Sequence, residues 1–361
     1  MTLLTSRNWT AAPLAATVAA ALALTACSGS PTASTASPPT TSASQAAGRP
    51  SASQPASTSP VSCGGGAGTQ VSTASQLSHA LATAVPGSTI VLAPGTYPGR
   101  FKASASGTAA QPITLCGPRA AVLDGGDIKK GYTFYLSHAN WWRVEGFTVQ
   151  GGQKGVVTDA ASHDLIDGLY VHDVGDEAIH LRDFSSYDTV SHNEVRGTGQ
   201  NRSFYGEGIY VGSAHKNWCR YSGCQPDGSD YDVITGNDIA QTTAENIDIK
   251  EGTVGGTISG NHFNGTGMDP SAATSWVNVK GNNWKITGNT GVDSIQDGLS
   301  DHQVYPGWGL DNIFTGNVLT VNGPGYGIFI QESRLASTVT CNNQVAGAQR
   351  GLSNLACSST A

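Results

Sequence analysis

The chain has few charged side chains, and the basic ones are the scarcer kind. Only 12% of its 361 residues are charged, with 19 Lys and Arg against 26 Asp and Glu. Two of the arginines and none of the acids lie in residues 1–62, so the rest of the chain has 17 basic and 26 acidic residues and a net charge of −9. No nucleic-acid partner is expected, because nucleic-acid binding needs a basic surface. An acidic polysaccharide would need a bridging cation or a local excess of lysine.

Amphipathic helical patterns are also scarce, whereas glycine is abundant, with 46 residues. Apolar spacing predicts one short helix over residues 73–85, which Pro86 and Gly87 would end. The rest of the sequence is typical of an all-β protein with many turns.

The first 62 residues are predicted to lie outside the fold. Arg7 precedes an apolar run over residues 11–26 that is typical of a signal peptide. The run ends in Leu-Thr-Ala-Cys27, which resembles the bacterial lipobox and implies that residues 1–27 are a lipoprotein signal with Cys27 lipidated. A soluble secreted protein cleaved nearby is the alternative. Residues 28–62, rich in Ser, Thr, Pro and Ala, predict a flexible tether to an extracytoplasmic domain at 63–361.

Six cysteines remain after Cys27, and an exported protein would oxidise them. Proximity in sequence predicts Cys219–Cys224 and Cys341–Cys357, which leaves Cys63–Cys116 to hold the N-terminal end. Zinc is the alternative, but no Cys-x-x-Cys pair supports it. The Cys341–Cys357 loop is expected to cap the fold, which favours a monomer.

Six segments align on one another with apolar residues at their third and fifth positions, with one exception. This alternation predicts stacked strands with one buried face. The segments begin at Glu177, Glu207, Glu245, Ser275, Asp297 and Tyr326. The polar positions fall into columns, so stacking would build a wall of carboxylates, amines and imidazoles.

A second series has the form apolar-x-x-Asn at spacings of 44, 24, 28, 28 and 25 residues. A period in the twenties with strands and Gly/Asn turns predicts a solenoid, in which each asparagine can bond its neighbour in the next turn. The asparagines are Asn193, Asn237, Asn261, Asn289, Asn317 and Asn342.

The stretch Ala84–Tyr97, followed by Ser106–Thr114, resembles the entry of right-handed parallel β-helix proteins of the pectin-lyase-like superfamily. It is most similar to the alginate lyase and chondroitinase B branch, as is the segment around Glu245–Gly256. The resemblance implies a right-handed parallel β-helix whose first turn is preceded by a capping helix. It also implies activity on polysaccharides.

The 44-residue spacing contains an insertion at about 198–232, with aromatic residues and the Cys219–Cys224 pair. A loop of this length calls for an explanation. Part of the excess is one more turn, since Glu207–Gly212 is itself a strand. The rest is interpreted as a stiffened wall beside the strands, or as a surface decoration.

The richest segment contains Glu245, Asp248 and Lys250, and Lys280 occupies the column of Lys250 one turn later. Two ammonium groups in adjacent strands would lower one pKa and create a general base. The neighbouring carboxylates could instead keep both lysines charged.

That pairing, with the resemblance, predicts β-elimination on a uronate-containing glycan. Lys250 would be the base and Lys280 would neutralise the substrate carboxylate, with Asp248 and His302 as further catalytic candidates. Glu207, Glu245 and Asp248 could hold Ca²⁺, which prefers several oxygen ligands. The predicted substrate-binding residues are His180, Arg182, Tyr210, Trp218, Asn278 and Asp297.

Three alternatives remain open. A glycoside hydrolase would pair Asp248 with Asp297 or Asp301, since it needs two nearby carboxylates. A C5-epimerase would share much of the lyase site. A glycan-binding surface protein would need no catalytic group.

Three tryptophans are candidates for stacking on sugars, with burial in the core as the alternative. They are Trp276, Trp284 and Trp308.

Overall fold

The computed structural model describes Cys63 and residues 68–360. The predicted signal peptide, the lipidation at Cys27 and the tether up to residue 62 lie outside these residues. The described part has α-helices at Ala74–Thr83 and Trp218–Tyr221 and 3-10 helices at Ser203–Tyr205, His215–Asn217 and Ser333–Leu335. None of the described helices is long and apolar enough to cross a membrane.

The strands form three sheets that together make a parallel β-solenoid of about ten turns, as predicted. The eleven-stranded sheet contains Thr69–Val71, Thr89–Leu92, Ile113–Cys116, Trp142–Glu145, Leu165–Asp167, Thr189–Ser191, Val233–Thr235, Thr257–Ser259, Lys285–Thr287, Ile313–Thr315 and Thr338–Val339. The nine-stranded sheet, here called the cleft sheet, contains Phe101–Ala103, Tyr132–Ser137, Lys154–Asp159, Ile179–Arg182, Ile209–Val211, Ile247–Ile249, Ser275–Val279, Asp297–Asp301 and Ile328–Ile330. The ten-stranded sheet contains Gly95–Pro98, Ala121–Asp124, Thr148–Gln150, Tyr170–His172, Glu194–Arg196, Asp238–Ile239, His262–Asn264, Thr290–Val292, Val318–Thr320 and Gln344–Ala346.

The predicted capping helix is confirmed at Ala74–Thr83. It begins at Thr73, whose hydroxyl accepts a hydrogen bond from the N–H of Gln76 at 3.2 Å. Its apolar face buries Leu77 and Leu81 in the core of the solenoid. The helix thus covers apolar side chains that the first turn would otherwise expose to water.

A buried asparagine ladder stabilises one corner of the solenoid. The Oδ1 of Asn261 accepts hydrogen bonds from the N–H and the Nδ2 of Asn237, both at 2.9 Å. The same contacts link successive members of the ladder, which are Asn193, Asn237, Asn261, Asn289, Asn317 and Asn343. The predicted last member, Asn342, is wrong by one residue. Asn342 is exposed and accepts from the N–H of Gly316, because the chain gains one residue after the strand that ends at Val339.

Two of the three tryptophans considered as sugar platforms are core residues. Trp276 and Trp284 are fully buried. Trp276 fits because Gly291 and Gly298 lie against its ring, where any side chain would clash. Burial, the alternative interpretation of these aromatic residues, therefore holds for both.

All three predicted disulfides are confirmed: Cys63–Cys116, Cys219–Cys224 and Cys341–Cys357. The third joins the chain after the last turn to residues near its end. Three disulfides in one domain are typical of a protein that folds outside the reducing cytoplasm.

Candidate active site

The repeats stack in the predicted register, which places three rows of residues across the cleft sheet. The central row is His180, Tyr210, Asp248, Asn278, Ser300 and Phe329. The carboxylate row, at the start of the strands, is Glu177, Glu207, Glu245, Ser275 and Asp297. The basic row, at their ends, is Arg182, Gly212, Lys250, Lys280, His302 and Gln331.

Asp248 lies at the centre of the site and binds both lysines. Lys250 Nζ is 2.8 Å from its Oδ2, and Lys280 Nζ contacts its Oδ1. Although burial opposes charge on Asp248, the two lysines outweigh it and lower the pKa of this carboxyl. Burial also opposes charge on Lys250, but Asp248 and then Tyr210 outweigh it and raise the pKa of Lys250 well above its usual value. The sequence left open whether the lysine pair would lower one lysine pKa or whether carboxylates would keep the lysines charged. For Lys250 the second alternative holds.

Glu207, Glu245 and Asp248 come together as predicted, with one oxygen from each within 4.8 Å of the others. Burial, and then the charges of Glu177 and Glu245, raise the pKa of Glu207 well above its usual value. Glu207 Oε2 is buried and has no hydrogen-bond partner among the described residues. An oxygen-preferring cation would satisfy this atom and offset the repulsion, so the residues fit a divalent ion such as Ca²⁺.

A hydrogen-bonded chain fixes His302 beside the lysines. Asn278 Nδ2 donates to Glu245 Oε1 at 3.1 Å, and Asn278 Oδ1 is 2.7 Å from His302 Nδ1. The histidine must therefore donate through Nδ1, which leaves Nε2 as an acceptor. Burial, and then Lys280, lower the pKa of His302 to about 4, so its ring is neutral at neutral pH.

A cavity of about 390 Å³ opens above this part of the sheet. Its floor includes Glu245, Asn278, Lys280 and His302, and residues 270–274 form one wall. On the other side it continues past Gln303 and Val304 to Gln331. Four of the predicted site residues, Glu245, Asn278, Lys280 and His302, thus line one open space.

Two predicted substrate-binding residues, His180 and Arg182, are buried and do not line the cavity. His180 is 4% exposed. Its Nδ1 lies 3.0 Å from Lys154 Nζ, and its Nε2 lies 3.0 Å from the carbonyl oxygen of Gly212. Arg182 is 2% exposed, and its Nε and Nη2 donate hydrogen bonds to the carboxylate of Asp159 at 2.5 and 3.0 Å. Both side chains form hydrogen bonds with other residues of the protein, which hold them in place in the cleft sheet.

Tyr210 and Trp218, two further predicted substrate-binding residues, do not line the cavity either. Tyr210 carries Lys250 Nζ at 5.0 Å from its ring centroid, and its hydroxyl has no hydrogen-bond partner among the described residues. Trp218 is 7% exposed, and its indole N–H donates to the carbonyl of Ser213 at 2.9 Å.

The predicted insertion consists of two loops on opposite sides of the strand Ile209–Val211. The second loop contains Trp218 and the Cys219–Cys224 disulfide. The ring of Trp218 contacts the ring of Tyr305, which lies in the loop after the strand Asp297–Asp301. The Trp218 and Tyr305 ring centroids are 5.2 Å apart. This contact lies beyond the ends of the strands that carry Lys250 and Lys280, so the loops wall that side of the cleft.

The carboxylates proposed as partners of Asp248 in a hydrolase do not face it. Asp301 lies in the inward row, paired with Val279 and Ile330. Its Oδ2 accepts from Ser337 Oγ at 2.5 Å, and burial raises its pKa to about 7. Asp297 is 2% exposed, and its Oδ1 accepts from the N–H of Tyr326 at 2.6 Å. Both aspartates form hydrogen bonds within the scaffold, so neither supplies the carboxylate pair that the hydrolase alternative predicted with Asp248.

Sequence reasoning missed Lys154, which stands in line with the carboxylate row. It binds Glu177 and His180 and so neutralises one end of the row. Its strand, Lys154–Asp159, pairs with Ile179–Arg182 in register. Aligning the Lys-Gly-Val-Val-Thr-Asp segment with the six repeats would have found it.

Comparison with known proteins agrees with this geometry. Residues 58–274 match the model of the family described as Pel9A-like, right handed beta helix region. The chain is similar to an alginate lyase from Paenibacillus sp. str. FPU-7, with 37% identity over 80% of this chain and 98% of that one and a TM-score of 0.73. A search of curated proteins finds no match.

Two further solved structures share the fold at lower identity. Pectate lyase Pel9A is 18% identical, covers 75% of this chain and 72% of its own, and has a TM-score of 0.55. The periplasmic alginate epimerase AlgG is 13% identical, covers 75% of this chain and 61% of its own, and has a TM-score of 0.50. The predicted right-handed parallel β-helix is thereby confirmed, and the chain belongs to the Pel9A-like right-handed β-helix family.

Proposed function

We propose that the protein is an extracytoplasmic polysaccharide lyase that cleaves a uronate-containing glycan by β-elimination. The observation that carries this proposal is the pair of lysines bound by Asp248, of which Lys280 lines the open cavity. The similarity to an alginate lyase makes alginate the first candidate substrate.

Elimination begins at the carbon beside the uronate carboxylate. A base takes the proton from this carbon, and the C–H electron pair forms the new C=C bond. The adjacent C–O bond then breaks, and the leaving oxygen takes up a proton. Positive charge beside the carboxylate stabilises the developing anion. Lys280, 7% exposed and lining the cavity, supplies such a charge.

Lys250 is the proposed proton-transfer group. As an ammonium it can donate a proton to the leaving oxygen, whereas the base role predicted from sequence requires it first to lose its proton. The neutral His302 Nε2, in the cavity floor, can take the substrate proton instead. The Tyr210 hydroxyl could do so only after losing its own proton, and burial raises its pKa well above the usual value.

Glu207, Glu245 and Asp248 would hold the divalent cation. Such an ion would add positive charge opposite the substrate carboxylate and lower the cost of forming the anion. The three residues also orient the floor, since Asp248 binds both lysines and Glu245 binds Asn278.

The function is tested by incubating the protein with alginate, pectate, glycosaminoglycans and neutral glycans. We expect near-ultraviolet absorbance and reducing ends to rise together with one uronate polymer, because elimination leaves a new double bond. Reducing ends without absorbance would indicate hydrolysis, and neither signal on any polymer would leave a glycan-binding protein. An epimerase would change the polymer's sugar composition and release no ends.

The cation is tested by thermal unfolding with calcium or chelator. We expect calcium to raise the Tm of the protein, because a ligand that binds only the folded state stabilises it. Glu207→Gln should abolish the calcium-dependent shift while unfolding at a similar Tm in chelator. An equal calcium shift in both proteins would remove Glu207 from the ion site.

The lipid anchor at Cys27 is part of the proposal and rests on the lipobox resemblance alone. In membrane fractionation of a bacterial host, the full chain should sediment with membranes and Cys27→Ala should not. Equal distribution of the two would favour a soluble secreted protein.

A further inference from the structure

We propose that the last turn of the cleft sheet forms a separate subsite for a neighbouring uronate residue of the glycan. Phe329 and Tyr326 would form the platform for the sugar ring, and Arg350 would bind its carboxylate. This inference rests on the proposed function, because it concerns a further part of the same substrate.

The cavity leads directly to this turn. It extends from Lys280 and His302 to Gln331, which ends the last strand of the sheet. The ring of Phe329 lies next to that of His302, with 5.8 Å between centroids. Phe329 is three strands from Asp248 in the central row, a distance of about 14 Å at the usual strand spacing. The subsite is therefore continuous with the floor but distinct from the lysine pair.

The two aromatic rings offer an apolar surface where the rest of the floor is polar. Phe329 and Tyr326 are both partly exposed, and their rings are nearly parallel, with 16° between planes and 6.2 Å between centroids. Partly exposed aromatic residues in a groove mark ligand contacts, because they give up apolar surface to a partner. The apolar face of a sugar ring fits such a surface.

Arg350 supplies a charge beside this platform. Its guanidinium carbon lies 4.4 Å from the Tyr326 ring centroid, and the side chain is exposed. Arg350 forms no ion pair within 4.0 Å among the described residues. The carboxylate of nearby Asp297 accepts hydrogen bonds from the N–H of Tyr326 and the amide of Gln296. An arginine that stacks on an aromatic ring can still bind a carboxylate with two parallel hydrogen bonds.

The chain after the last turn fixes the arginine in place. The N–H of Arg350 donates to the carbonyl of Gly325 at 3.0 Å. The next residues pair with the edge strand, since Gly327 and Ile328 donate to the carbonyls of Gly351 and Leu352 at 2.9 and 2.8 Å. The Cys341–Cys357 disulfide ties this segment to the last corner. The backbone that presents Arg350 is thus held by the fold before any substrate arrives.

The test measures KM and kcat of the full-length wild-type protein and of its variants Phe329→Ala and Arg350→Gln, with alginate and with pectate as substrates. We expect each variant to raise KM about tenfold, which is about 1.4 kcal/mol, with kcat within about twofold, because the contacts lie away from the reacting bond. Only Arg350→Gln should weaken the dependence of KM on salt, and Arg350→Lys should restore most of it. Lys285→Ala, which removes an exposed lysine from the eleven-stranded sheet, is the control and should leave KM unchanged.

Migration in native gels containing the same polymers separates this inference from the proposed function. A wild-type protein that is retarded by a uronate polymer, with variants retarded equally, would overturn the subsite and leave the lyase intact. Retardation lost in Phe329→Ala and Arg350→Gln, with Tm unchanged, would support the subsite even if no cleavage were detected. A wild-type protein that neither binds nor cleaves any uronate polymer would overturn both.

Discussion

Lys250→Ala is expected to lower kcat for glycan cleavage by about 10³-fold, the usual contribution of a proton-transfer group. Lys250 contacts both Asp248 and the Tyr210 ring. The measurement is the initial rate of absorbance increase on the best uronate polymer. Lys250→Arg keeps the charge but transfers protons poorly, so it should remain well below wild type. Recovery of most activity in Lys250→Arg would reduce Lys250 to an electrostatic role.

Two further variants identify the group that accepts the proton. Tyr210→Phe removes one hydroxyl, and His302→Gln removes the imidazole but keeps a polar side chain. The variant that loses kcat without a change in Tm marks the acceptor. If both retain wild-type kcat, Lys250 itself must act as the base after losing its proton, as the sequence first predicted.

Asn261→Ala is expected to lower the free energy of unfolding by about 4 kcal/mol, because three buried groups each lose a hydrogen bond at once. These groups are the N–H and Nδ2 of Asn237 and the carbonyl of Ile234. Alanine leaves no polar atom to replace them, and a neighbouring turn cannot move without breaking its own contacts. The measurement is denaturant unfolding.

Asn342→Ala is the matched control, since Asn342 is an exposed asparagine at the corner next to the ladder. Its loss should cost less than about 1 kcal/mol. Asn343→Ala, one residue later, should resemble Asn261→Ala because Asn343 is the buried last member. Equal effects at Asn342 and Asn343 would contradict the assignment of the ladder.

The sequence was sufficient to predict the fold because the repeat imposes the same pattern on every turn. Apolar residues such as Ile179, Ile209 and Ile247 recur at one position, and the structure pairs them directly. A one-residue shift would have moved them to the wrong face, so the period itself determines the register. The prediction failed at Asn342, where one added residue interrupts the period.

The site was predicted less completely, because its properties depend on contacts between turns. The columns brought Lys250, Lys280 and Asp248 together correctly. They could not show that one aspartate would bind both lysines, which sets the charge of Lys250. They did place Asp301 at the position that is apolar in the other repeats, and its side chain belongs to the inward row.

The segment after the last turn has a consequence for self-association. A β-helix ends in an edge strand whose free N–H and C=O groups can template pairing with another chain. Here residues 351–354 bind that edge in the cleft sheet, and residue 350 reaches back over Tyr326. Any chain that added to this edge would first have to displace the segment that carries Arg350. Pairing of the edge strand with another chain would therefore compete with the docking of residues 350–354, which presents Arg350 to the glycan. Both need the same few backbone groups of the last strand.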